Sequence, residues 1–160
     1  MLKRFVFVAT VVGLAATAFP QGNPRGEAEA KVAGKAVSIE YGRPSLKGRD
    51  MLAQARVGTP WRLGADAATT LTTEADLAFG DTTVPKGTYI LTATKVDADT
   101  WHLNVLNQAD RAKVADVPLT PAKVDEETET LTIKLTGEGE KGSFEMTWGK
   151  TALKANFSGK

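Results

Sequence analysis

Alternation of apolar and polar side chains with a period of two is the feature that most restricts this chain. In TYILTATKV, Tyr89, Leu91 and Ala93 fall on one face; in WHLNVL, Trp101, Leu103 and Val105; in TLTIKL, Leu131, Ile133 and Leu135; in FEMTW, Phe144, Met146 and Trp148. Successive side chains of a strand point to opposite faces, so each segment predicts a half-buried β-strand. Leu153, Ala155 and Phe157 repeat the pattern, and EAEAKVAGKAVSIEY predicts a hairpin turning at Gly34-Lys35. Short strands at regular spacing predict an all-β fold, an antiparallel β-sandwich of jelly-roll-like or immunoglobulin-like kind with at most short helical turns.

The connections carry their own chemistry. Val84-Pro85-Lys86-Gly87 predicts a type II turn, Gly137–Gly142 a flexible hairpin loop, and Gly149-Lys150 a tight turn before the last strand. Two pieces, Asp50–Ala55 and Pro121–Glu126, have helical composition but barely two turns each.

The first residues, MLKR and then FVFVATVVGLAATA, form a basic start, an apolar run and small residues at Ala16 and Ala18. The apolar run is about 14 residues, short of the ~20 that a spanning helix needs, so residues 1–18 predict a cleaved signal peptide. That places the mature chain in a periplasm or outside the cell, with no membrane span. Residues 19–26, FPQGNPRG, then predict a flexible leader, and 27–160 a single domain. The formal charge is +1, and losing Lys3 and Arg4 with residues 1–18 gives 1 − 2 = −1. That balance lacks the basic excess of a nucleic-acid binder. There is no cysteine, so stability rests on the core alone.

Most catalytic arrangements lack their parts. A Ser-His-Asp mechanism needs a proton-shuttling histidine, and the one histidine, His102, sits on the polar side of its strand. One His and no Cys predict no transition-metal site and no cofactor. Asp97, Asp99 and the run Glu126-Glu127-Thr128-Glu129 offer oxygens without calcium-loop spacing, and read as solvated turn charges.

Two loops stand apart: Tyr41–Asp50 and Pro60–Asp66 hold Arg43, Arg49, Trp61, Arg62 and Asp66. Guanidinium forks suit carboxylates and phosphates, and an indole stacks on a sugar ring, so these five residues are the candidate site for a small anionic or carbohydrate ligand. The structural alternative is that the arginines pair with Asp50, Asp66 or Asp76 to pin the loops while Trp61 caps the core.

The stretches RPSLKGR (43–49), PWRLGADAAT (60–69), PKGTYIL (85–91), LTIKL (131–135) and MTW (146–148) resemble a bacterial exported family known as domain of unknown function 2911. The likeness spans roughly residues 30–157. It implies an exported all-β domain and names no substrate. Members of that family tend to carry Asn-Glu where this chain has Asp66-Ala67, and a Trp-Gly-Tyr segment where it runs Asn107–Ala112. Acid–base work by such a glutamate is closed to Ala67.

Three functional readings follow. A binding or accessory module uses the arginines as donors, Trp61 as an aromatic floor and Asp66 as an orienting acceptor. A hydrolase of an envelope glycan or ester needs a second carboxylate about 5–10 Å from Asp66. A structural envelope protein needs its arginines fully paired and associates through sheet edges or apolar surface.

Overall fold

The computed structural model describes residues 22–160, so the proposed signal peptide at 1–18 lies outside the described residues. All regular structure among them is β: β1 (Arg25–Val32), β2 (Lys35–Gly42), β3 (Pro60–Trp61), β4 (Thr69–Thr73), β5 (Leu77–Phe79), β6 (Thr82–Val84), β7 (Gly87–Lys95), β8 (Trp101–Asn107), β9 (Lys113–Glu138) and β10 (Lys141–Gly159). The strands run in the order β1-β2-β4-β7-β8-β9-β10-β5-β6, and β3 pairs separately with β7. Every strand pairing is antiparallel.

One strand turns this path into a folded-over structure. Lys113–Leu119 of β9 pair with β8, whereas Thr120–Glu138 pair with β10. A strand that changes partners along its length carries the chain from one sheet surface to another. Apolar residues from both parts then meet. Val37, Ile39, Leu71, Leu91, Leu103 and Val105 surround, with Leu77, Phe79, Leu135, Phe144 and Phe157, a void of only about 10 Å³. That is at or below the space one water needs, so the core is closed and dry. The hydroxyl of Tyr41 locks β2 to β9 by accepting from the Ile133 amide at 2.9 Å.

Several local expectations change. Ordered strand begins at Arg25, two residues before Glu27. The first hairpin turns at Ala33-Gly34, whose φ values of 52° and 73° fit a twist-matched two-residue turn, one position earlier than expected. Pro121–Glu126 is strand within β9, with Pro121, Ala122 and Lys123 opposite Leu153, Ala152 and Thr151. A six-residue helix cannot meet its own nucleation cost, and β10 offers a ready ladder. Asp50–Ala55 is a single helical turn, closed by the Gln54 amide on the Asp50 carbonyl at 3.2 Å and capped by Asp50 Oδ1 on the Ala53 amide at 3.1 Å.

Gly149 does not end a strand. At φ 65° it lies inside continuous β10, between two register shifts in the pairing with β9, and acts as a bulge. Nor does Val84–Gly87 form a type II turn, which needs positive φ at Lys86; the chain instead passes from β6 to β7 on the other surface. Asp76 Oδ1 fastens that crossing by accepting from the Lys86 amide at 2.8 Å. No helix among the described residues is long and apolar enough to cross a membrane.

Candidate functional site

The loop after β2 is tied along β9. Arg43 donates from Nε to the Leu131 carbonyl at 3.2 Å and from Nη2 to Thr132 Oγ1 at 3.1 Å. Nearby, the Leu131 amide donates to the Pro44 carbonyl and the Leu46 amide to the Glu129 carbonyl, both at 3.0 Å. Glu129 also accepts the Lys47 amide at 3.0 Å through its carboxylate, a holding role that the reading of solvated turn charges missed. Arg49 is exposed, and its backbone amide closes a turn on Leu46.

The second loop meets the first where Gly42 abuts Ala65. A Cβ on Gly42 would stand 2.0 Å from the Ala65 carbonyl oxygen, so only glycine permits this approach. Arg62 Nη1 donates to the Asp66 carbonyl. The Asp66 carboxylate turns the other way and accepts from Asn23, at 2.7 Å from the amide and 3.2 Å from Nδ2. Those two bonds, helped by the positive charges of Arg62 and Arg25, hold its carboxyl below the usual 3.8.

Trp61 has a different surrounding. It pairs with Ala93 in β3–β7 and turns inward. Its ring stacks on Trp148 with centroids 5.8 Å apart at 11°, and meets Trp101 edge-on at 6.3 Å and 71°. These are all three tryptophans of the chain. The indole N–H of buried Trp148 is satisfied by the Glu129 carbonyl at 3.2 Å. Beside the stack opens a groove of about 340 Å³, lined by Met51, Leu52, Gln54, Ala55, Arg56 and Thr59 together with Pro60, Trp61 and Trp148.

The five expected site residues therefore do not share one pocket. Trp61 lines the groove, Arg62 lines a separate cleft, Arg43 ends on β9, and Asp66 holds Asn23. Sequence reasoning did not single out Gln54, Arg56 and Thr59, which carry no pattern of their own; Trp148, read as an inward strand position, is buried in the core and lines the groove as well. Its alternation marks it as inward-facing, and nothing local says that it lies under Trp61.

On the outer face, His102 Nδ1 lies 2.5 Å from Asp116 Oδ1, and Lys113 Nζ 2.9 Å from Asp116 Oδ2. The Lys113 bond above all, with help from His102, holds the Asp116 carboxyl below its usual value and outweighs the opposing effect of burial. Among the described residues, no three His, Asp or Glu side chains are grouped to hold a metal ion.

An all-β antiparallel domain with an aromatic groove at one end of its core is the class that fold and site define. The family described as Protein of unknown function (DUF2911) matches residues 23–157, and the chain belongs to that family. No curated protein and no solved structure matches it.

Proposed function

We propose that this protein is an exported ligand-binding module whose site is the tryptophan groove, and that its ligand is a carbohydrate. The stacked pair Trp61 and Trp148 on the wall of an open 340 Å³ groove carries the reading. A sugar ring has an apolar face that suits an indole and a rim of hydroxyls that suits Gln54, Arg56 and Thr59. The groove holds both kinds of group side by side. Export rests on the basic, apolar and small-residue order of residues 1–18. Arg43 of the first loop plays a holding role, since it ends on a backbone carbonyl and a threonine of β9. Asp66, with its carboxyl lowered and committed to Asn23, suits an acceptor better than the proton donor that a hydrolase needs.

Because every tryptophan lies in this cluster, tryptophan emission reports on the stack and the groove beside it. Titration with a panel of neutral and acidic saccharides is expected to shift the emission for one class. Gln54→Ala and Arg56→Ala should weaken that response without lowering the melting temperature. A flat titration across the panel, or a response indifferent to both substitutions, rejects the groove as the site.

A further inference from the structure

We propose that Arg62, Arg111 and Thr92 form a site for a compact tetrahedral oxyanion, either inorganic phosphate or the phosphate of a small monoester, on the face of the sheet opposite the tryptophans. The inference stands apart from the carbohydrate reading. Arg62 and Arg111, 49 positions apart by their numbers, line one cleft of about 200 Å³ with Ala68, Ile90, Leu91 and Thr92. Two arginines lining one small cleft raise the positive potential in it, which favours the entry of a negative charge. The ion pairs among the described residues are His102–Asp116, Lys113–Asp116 and Lys154–Glu145, so neither arginine is in direct contact with a carboxylate there. The acids closest to them in sequence keep their charge, and Asp66 and Arg62 attract through space, but both carboxylates turn oxygens to other donors. Asp66 accepts from Asn23, and Asp110 Oδ1 accepts the Ala112 amide at 3.0 Å.

The third member is prepared by a buried neighbour. Asn104 is only 3% exposed, and its Nδ2 donates to Thr92 Oγ1 at 3.2 Å and to Thr94 Oγ1 at 2.9 Å. With one lone pair of its oxygen taken, the Thr92 hydroxyl keeps its proton to donate into the cleft. Arg111 is positioned at a conformational cost, with φ 61° in a turn closed by its own amide on the Asn107 carbonyl at 2.9 Å. A residue with a Cβ is uncommon there, and the hairpin connection between β8 and β9 fixes its place. Donors of fixed fork geometry plus one hydroxyl match the oxygens of a phosphate, and the cleft leaves room for a small ester group.

Calorimetric titration of the purified protein at low ionic strength, with inorganic phosphate and separately with glycerol 2-phosphate, tests the site. One-to-one binding is expected. Arg111→Gly should weaken it about tenfold or more, as the loss of charge-assisted bonds implies, and Thr92→Val by a smaller factor. Arg111→Gly also relieves the positive φ, so its melting temperature should hold or rise, which separates lost binding from lost folding. Arg49→Ala removes an exposed arginine outside this cleft and should leave the affinity unchanged. Tighter binding of the ester identifies a phosphomonoester ligand, and equal or weaker binding identifies the free ion. Absence of heat with both probes at millimolar concentration, or equal losses in Arg49→Ala and Arg111→Gly, overturns the proposal.

Discussion

Trp61 and Arg62 are neighbours in sequence and belong to opposite sides of the same sheet. On the Trp61 side, side chains from β3, β8 and β10 converge into an aromatic stack backed by the core. On the Arg62 side, the surface is polar and open, and its order comes from backbone carbonyls, a buried amide and a strained turn. One step along an extended chain separates the two because alternate residues face opposite ways. A cluster of eye-catching residues in one loop is therefore not one site, and the parity of each position decides which chemistry it joins.

The sharpest way to break this contrast is to remove the base of the aromatic side. Trp148→Ala deletes a buried indole and should cost about 3–5 kcal/mol by chemical denaturation, while also abolishing the stack on Trp61. A loss below about 1 kcal/mol would mean the stack is a surface ornament and the comparison fails.

Next comes the pair of first-loop arginines. Arg43→Ala removes two charge-assisted bonds to β9 from a half-buried side chain and should cost about 1–3 kcal/mol, whereas exposed Arg49→Ala should stay within about 0.5 kcal/mol. Equal melting temperatures for the two variants would show that the loop is not pinned by Arg43.

The smallest effect belongs to acid. Asp66 and Asp116 have carboxyls lowered in the folded protein, so the stability they add is complete above the ordinary aspartate value of about 3.9 and fades as pH falls through their lower folded values. Asp116→Asn and Asp66→Asn should each flatten the acid limb of the melting temperature against pH. An unchanged limb in both variants would show that these carboxylates hold nothing.

What could be read in advance follows from range. Alternation in Tyr89–Ala93, Trp101–Val105 and Phe144–Trp148 is local, and every inward position it marks is buried. The all-β class was legible for that reason. The change of partner within β9, the bulge at Gly149 and the strand nature of Pro121–Glu126 depend on pairings with distant segments, and no local pattern encodes them. The same limit applies to the site. Trp61 was visible as an aromatic in a loop, but its partners Trp101 and Trp148 lie 40 and 87 positions away by number, and Arg111 joins Arg62 only through the pairing of β7 with β8. Arg43 and Arg62 were read as seekers of anions or aspartates, and both reach backbone carbonyls, acceptors that composition never displays.

Partner switching in β9 also sets a timetable. β10 completes the second surface by pairing with β9 on one side and, through Ser158 and Gly159, with β5 on the other, some 80 residues upstream. A chain delivered from its N-terminus holds β5 and β6 as a hairpin without its β10 partner until Ser158 and Gly159 have arrived. Until then the apolar faces of the first surface lack the cover that β10 supplies, which makes the late strand the step that closes the core.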